Sequence, residues 1–369
     1  MKILVSGYNG FVGQHFLRHL KKNNITAEVS LLNKADFLSS KNLLKKIDKN
    51  DYIFHFAGVN RDINEELVYE KNIIINEILH DSLNEIGFKG VLFFPSSIQE
   101  NLTTAYGKSK KISRDLFQKQ SNKLNYKFFS TITTNLFGPF GKPNYNSFIA
   151  TFCSQLLDKK KPVIQEDREI SLLYIDDFIS QIIKLLFKKE PDTEGFLTTK
   201  IKVSQVLEKL NLFHDQYYLN HQFPNIFSDF DLNLFNTYRS FINHKYFFPI
   251  FYRSFSDNRG NFLELIRSNS SGQGSFSTTK VGITRGNHYH TRKIERFSVV
   301  KGAAKITIRD IISSEKIEFI LDSSSPAFVD IPVWYTHKIE NIGKEELVTF
   351  FWINEHYDEN NADTFIENV

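Results

Sequence analysis

The sequence predicts a doubly wound α/β domain followed by an all-β domain, and three observations predict it. The 369 residues exceed what one hydrophobic core ordinarily organises, so two domains are expected. Over roughly the first 150 residues, near-continuous apolar strands alternate with helical periodicity, which marks a parallel sheet covered on both faces. After residue 244 the helical period fades and short strand-like runs lie between turns.

Each element follows in order. Ile3 to Val5 reads as a buried strand, and "GYNGFVG" as a glycine-rich turn. The helix after it carries Val12, Phe16, Leu17 and Leu20 at helical spacing. Residues 27–32 form the second strand and 36–48 a helix. "DYIFHFAG" from Asp51 is the third strand, followed by a helix over 65–86 and the strand "VLFFPSS". "YKFFSTITTNLFGP" reads as one more strand. In the second half, strands are expected at 275–284, 296–300, 303–309, 316–321 and 347–353, the mark of a sandwich or barrel. The boundary is placed at Asn243, after the "LFNTYRSF" helix, which gives domains 1–243 and 244–369.

Composition excludes several classes. The apolar fraction of 41% and charged fraction of 24% are those of a globular chain. The net charge of +4 and the scattered basic residues, with short runs such as Lys159 to Lys161, argue against nucleic acid as a partner. Cys153 is the one cysteine, so no internal disulfide and no cysteine-based zinc finger is expected. No signal-like segment or membrane span is visible, so a cytoplasmic location is expected.

Gly7, Gly10 and Gly13 follow the first strand as G-x-x-G-x-x-G. Such glycines let the backbone approach a pyrophosphate that sits on the N-terminus of the next helix. A nicotinamide dinucleotide is expected here, on a turn that also carries Phe11 and Val12. At the end of the second strand a carboxylate would favour NAD, but Asn33 and Lys34 stand there. A lysine pairs with a 2′-phosphate, so NADPH is expected. Tyr106 and Lys110 form Y-x-x-x-K on one helix face, where the ammonium would aid a tyrosine that exchanges a proton with a carbonyl. The pattern is weak alone, and Tyr289 with Lys293 also matches it. Its position after "VLFFPSS" gives it weight, with Ser97, rather than Ser96, as the expected hydrogen-bond donor to the substrate.

Together with "HFAG" at 55–58, "NLFGP" at 135–139 and "LLYIDDF" at 172–178, these residues resemble the extended short-chain dehydrogenases/reductases acting on nucleotide sugars. The resemblance implies a Rossmann-like fold with Ala57 and Gly58 lining the cofactor. It also implies that the segment from Asn135 through Lys142 and Asn146 to Arg168 contacts the sugar nucleotide. Arg168 suits a diphosphate, or equally a surface ion pair with Asp167 or Glu169.

His288, His290 and Glu295 lie between Gly282 and Gly302, and "DIPVWYTHKIEN" adds His337. Residues i and i+2 of a strand point the same way, so the two nearer histidines can share a barrel interior. Three imidazoles and a carboxylate suit zinc or another divalent first-row metal. Both motifs resemble the cupin signature over residues 250–355, which implies a jelly-roll. The alternative is a metal-free barrel whose histidines bind substrate. A metal there would polarise a ketone so that a base could invert the adjacent carbon, with Tyr289, Tyr335 and Lys301 as candidate proton carriers.

The whole chain, with "FAGVNR", "YNSFIATFC", "RGNHYHTRKIERF" and "HKIENIGKEELVTFFW", resembles the bifunctional epimerase/reductases of bacterial capsule assembly. That resemblance implies a UDP-activated 2-acetamido-2,6-dideoxy-4-hexulose, epimerised at C3 by the cupin and reduced at C4 with NADPH. The product would be UDP-2-acetamido-2,6-dideoxy-L-talose, on the way to N-acetyl-L-fucosamine or L-pneumosamine in capsule or O-antigen. A homodimer joined partly through the cupin is also implied. The competing expectation is a reductase or epimerase whose cupin serves only in dimerisation.

Overall fold

The computed structural model describes residues 1–188 and 196–369. These form two compact units, one of residues 1–137, 141–148 and 169–201, the other of 138–140, 149–168 and 202–369.

The first unit is built on five parallel strands in the order β2-β1-β3-β4-β5. They are β1 (Lys2–Ser6), β2 (Glu28–Leu32), β3 (Tyr52–His55), β4 (Val91–Ser97) and β5 (Lys127–Thr133). Helices α1 (Phe11–Lys22), α2 (Ser40–Leu43), α3 (Glu65–Glu85) and α4 (Ala105–Leu124) connect them. Ile3, Leu4, Ile53, Leu92 and Phe93 are fully buried, as strands covered on both faces require. The order reverses between β1 and β3, and a doubly wound sheet binds ligands at that switch point. The helix expected over 36–48 is only a 3₁₀ turn at Lys34–Leu38 and the single turn α2. Asn33 and Ser39 each cap a separate start, which cuts the segment in two. The single strand read in "YKFFSTITTNLFGP" ends at Thr133. Its second half is β6 (Asn135–Phe137), which pairs with β7 (Glu169–Tyr174) in a three-stranded sheet completed by β8 (Thr199–Lys202). In the chain, β7 follows α5 (Phe148–Leu157), which from Ile149 on belongs to the second unit, and precedes α6 (Ile175–Lys188).

The second unit carries α7 (Val203–Phe213), α8 (Asp229–Arg239), the single turn α9 (His244–Phe247) and two five-stranded antiparallel sheets. One sheet runs β12-β19-β14-β17-β9, the other β16-β15-β18-β13-β20. Their strands are β9 (Ile250–Phe251), β12 (Gln273–Thr279), β13 (Thr284–Tyr289), β14 (Glu295–Lys301), β15 (Ala303–Asp310), β16 (Lys316–Asp322), β17 (Ala327–Ile331), β18 (Tyr335–Asn341), β19 (Leu347–Ile353) and β20 (Phe365–Ile366). Two further strands, β10 (Ser254–Asp257) and β11 (Gly260–Leu263), form a hairpin of their own. This is the all-β jelly-roll expected. Its core is Val299, Ile306, Ile308, Phe319, Val329 and Ile331 with their neighbours. Strands β17 and β18 have no counterpart in the sequence reading; the turn between them holds Pro332 and a left-handed Trp334.

Residues 202–243, assigned by sequence to the α/β domain, pack instead within the β-rich unit. Fully buried Arg239 donates to the Ile331 carbonyl at 2.9 Å, and the Tyr217 hydroxyl donates to Asp330 at 2.9 Å. Asp330 is also held by buried Arg296 through two contacts of 2.8 and 2.9 Å. No helix among the described residues is long and apolar enough to cross a membrane.

Candidate active sites

In the first unit, Gly7 has φ +66°, and a Cβ there would stand 2.6 Å from the Ala57 nitrogen. A Cβ on Gly13 would stand 2.4 Å from the Gly7 carbonyl oxygen and 2.6 Å from the Tyr8 Cα. These backbone contacts cannot yield, so the turn accepts only glycine. Gly10 is the N-cap of α1 with no side-chain cap, and the first turn of α1 holds no acidic residue. Phe11 and Val12 begin that turn. The open backbone N–H groups and positive helix end suit a pyrophosphate, so the residues present fit a dinucleotide.

Asn33 uses its side chain to cap the 3₁₀ turn, accepting from Ala35 N at 2.8 Å, so its side chain is already engaged. Lys34 beside it is exposed. The one nearby carboxylate, Asp36, is taken by the Asn33 N–H at 2.7 Å and Lys46 at 2.9 Å.

Tyr106 and Lys110 lie one turn apart in α4, both half-buried. The Lys110 ammonium stands 4.2 Å over the Phe94 ring, and burial, opposed in part by Glu100, lowers its pKa to about 7. Burial, with Tyr145 adding to it, pushes the Tyr106 phenol up to about 12. Ser97 ends β4 half-buried and accepts from Gln99 N at 3.2 Å. Ser96 is buried and donates to Glu100, which Arg114 chelates at 2.8 and 3.0 Å, so this serine is committed to structure.

A buried polar ladder joins the end of β1, at the glycine-rich turn, to the Tyr106 helix. Ser6 Oγ accepts from Ala57 N at 3.1 Å and contacts His55 Nδ1 at 2.7 Å, and His55 Nε2 meets Asn76 Oδ1 at 2.9 Å. Burial lowers the His55 pKa to about 3, so the ring is neutral. Asn72 clasps Val59, accepting its N–H at 2.7 Å and donating to its carbonyl at 2.9 Å. Asn72 and Asn76 also donate to Ser109 and Ser113 of α4 at 3.1 and 2.8 Å, and Ser109 donates to the Tyr106 carbonyl at 2.7 Å. Sequence reasoning missed these residues. The matched i, i+4 pairs of Asn on α3 and Ser on α4, at otherwise buried positions, were the available signal.

Asn135 donates to the Ser171 carbonyl at 3.2 Å, and Lys142 and Asn146 are exposed. Lys142 stands 5.2 Å over the Tyr145 ring. Arg168 belongs to the other unit, is 68% exposed and pairs with Glu166 at 3.8 Å. The ion pair expected with Asp167 or Glu169 is therefore made with Glu166. Asp167 instead accepts from the Ser204 N–H at 2.9 Å and hydroxyl at 2.8 Å.

In the second unit, His288, His290, Glu295 and His337 bring one ligand atom each to within 4.8 Å of one another. His288 on β13 pairs with His337 on β18, and Glu295 opens β14 in the facing sheet. Glu295 Oε2 lies 3.0 Å from Nε2 of both His290 and His337. Yet these three buried atoms have no well-aligned hydrogen-bond partner among the described residues. Burial pushes the Glu295 carboxyl up, but His290 and His337 outweigh it and hold it well below the usual carboxylate range. Burial lowers His290, and Glu295 more than offsets it, leaving that pKa raised. His288 is lowered to about 4, first by burial and then by His337 and His290. Convergent, unpartnered N and O donors fit a divalent first-row metal.

Two of the proton-carrier candidates are poorly placed. Tyr289 alternates to the opposite face of β13 from its histidine neighbours and stacks with Trp334 and Phe365. Lys301 is exposed at the far end of β14 and pairs with Glu345 at 3.1 Å. Tyr335, two residues before His337, shares its strand face.

Residues 3–196 match the NAD dependent epimerase/dehydratase family, and residues 255–365 the polysaccharide biosynthesis C-terminal domain. The chain is 32% identical to a UDP-2-acetamido-2,6-beta-L-arabino-hexul-4-ose reductase of Pseudomonas aeruginosa over 372 residues, covering 99% of this chain and 98% of that protein. The crystal structure of the capsular polysaccharide assembling protein CapF from Staphylococcus aureus is similar with a TM-score of 0.60 at 30% identity, over all of both chains. A GDP-L-fucose synthetase from Naegleria fowleri shares the fold at 16% identity and a TM-score of 0.52, over 66% of this chain and 94% of that one.

Proposed function

The chain belongs to the NAD dependent epimerase/dehydratase family, and from that premise we propose a bifunctional enzyme of surface-polysaccharide precursor synthesis. Its substrate is a UDP-2-acetamido-2,6-dideoxy-4-hexulose, inverted at C3 in the β-rich unit and then reduced at C4 in the α/β unit to UDP-2-acetamido-2,6-dideoxy-L-talose. The observation that carries the epimerase activity is the cluster of half-buried His288 with buried His290, Glu295 and His337, in a chain that also holds a glycine-cradled helix end and a Tyr106–Lys110 pair. The full-length likeness to a reductase whose name carries a hexul-4-ose supports the sugar class.

When bound, NADPH supplies a hydride and a divalent metal supplies Lewis acidity. The chain's residues do the rest. Tyr106 delivers the proton that the C4 oxygen needs as the ketone becomes an alcohol, Ser97 donates a hydrogen bond to that oxygen, and Lys110 orients the site. Exposed Lys34, with Asp36 already engaged, favours NADPH over NADH. Ala57, Gly58, Phe11 and Val12 line the cofactor, and Asn135, Lys142 and Asn146 of the α/β unit hold the sugar nucleotide. In the β-rich unit, Tyr335 is the proton carrier best placed by strand alternation. Epimerisation precedes reduction, because only the ketone acidifies the neighbouring C–H. The assembly is a homodimer in the cytoplasm.

The test incubates zinc-loaded protein with the UDP-4-keto sugar in D₂O without NADPH and follows the ring protons by NMR. Loss of the C3 proton signal, abolished in His290→Ala, is expected. No exchange, with NADPH still consumed once added, would leave a reductase whose jelly-roll serves assembly.

A further inference from the structure

We infer that Asp363 is a positioning residue for the metal centre, its carboxylate holding the loop between His290 and Glu295 and its backbone carbonyl the His290 ring, both from outside the ligand set. The inference rests on the metal reading above.

Asp363 is buried, with φ +44°, and lies 73 residues from His290. Its backbone carbonyl accepts from His290 Nδ1 at 2.6 Å. That contact makes Nδ1 the protonated nitrogen and leaves the Nε2 lone pair toward Glu295, 3.0 Å away. The Asp363 carboxylate turns the chain after His290 inward. Oδ1 accepts from the Thr291 hydroxyl at 2.7 Å and the Thr291 N–H at 3.2 Å. Oδ2 accepts from the N–H groups of Thr291, Arg292 and Lys293 at 3.1, 2.9 and 3.0 Å. Three consecutive amides converging on one carboxylate form a nest. One residue thus fixes both the ring of a ligand and the loop leading to the next ligand, Glu295.

Its neighbours fasten the same strand. Phe365 and Ile366 pair with Tyr289 and His288. Lys293 Nζ donates to the Ala362 carbonyl. Residues 362–366 therefore hold the segment 288–293 by ring, backbone and strand ladder at once. None of these contacts is a ligand of the cluster, so the strap sets the direction of the donor atoms and not their number.

The experiment titrates the full chain, freed of metal, with Co²⁺ and reads the visible d–d absorption alongside circular dichroism. Asp363→Ala should bind Co²⁺ roughly 10- to 100-fold more weakly, with a shifted band in a protein that keeps its fold. Asp363→Asn should fall between the two, since its single amide oxygen retains part of the nest. Arg309→Ala removes the 2.7 Å contact to Glu367 farther along the strap without touching residues 290–293, and should bind as wild type does. The alanine variant loses the carboxylate nest and keeps the backbone carbonyl on His290, so wild-type affinity and spectrum in Asp363→Ala would overturn the positioning role of the side chain. Wild-type protein that takes up no Co²⁺ overturns the metal reading, and this inference with it. Should the alanine variant fail to fold, ¹⁵N NMR of the wild-type imidazoles decides. A His290 protonated at Nδ1 is expected, and one protonated at Nε2 overturns the inference.

Discussion

The Lys110 ammonium stands over an aromatic ring, and that gives its charge a distinct effect on stability as pH changes. Burial lowers its pKa from the ordinary 10.5 to about 7. Between these values the unfolded chain holds a proton that the folded chain does not, so stability rises with pH across that window. The contribution is present above the unfolded value and is lost as pH falls through the folded one. Its full size is on the order of a few kcal/mol. Lys110→Met should remove the dependence, so the urea-measured stability difference between wild type and variant should move toward wild type from pH 7 to 10. Parallel profiles would sink the assignment. The spacing of Tyr106 and Lys110 was legible in the sequence, whereas the desolvation was not, because Phe94 reaches the site from another element. Asp363 was illegible for the same reason: nothing local marks a lone aspartate as the partner of a histidine 73 residues away.

At the scale of elements, the glycine turn and α1 form one preorganised piece. Gly13→Ala would drive a Cβ to 2.4 Å from the Gly7 carbonyl, and neither backbone can retreat without moving β1. Overpacking of this kind costs roughly 1–3 kcal/mol, and if it falls on the cofactor turn the loss approaches tenfold or more in affinity. Quenching of protein fluorescence by NADPH reads this directly, and an unchanged Kd would mean that the dinucleotide does not lie on this turn. The central strands β1, β3 and β4 announced themselves by their apolar runs. Two errors at this scale share a cause. The segment Lys127–Phe137 reads as one run of β-branched and aromatic residues, yet the chain leaves one sheet for another at Thr134. The 36–48 segment has helical spacing, yet Ser39 offers a competing cap. Periodicity registers burial and not which sheet or which cap supplies it.

For the whole molecule, the boundary at Asn243 follows the change in sequence texture but severs a packed unit. Cutting there parts Tyr217 from Asp330 and Arg239 from the Ile331 carbonyl, and each buried group left alone costs about 1–3 kcal/mol. A fragment of residues 202–369 should therefore melt higher than one of residues 244–369 by circular dichroism. Equal melting temperatures would show the helical stretch to be a passenger. The path of the chain carries a further consequence. It passes between the units at 137/138, 140/141, 148/149, 168/169 and 201/202. A gene joined from two finished modules would show one such seam. Here any single cut leaves one compact unit without part of its own chain, so exchanging either unit whole for a foreign counterpart takes several simultaneous splices.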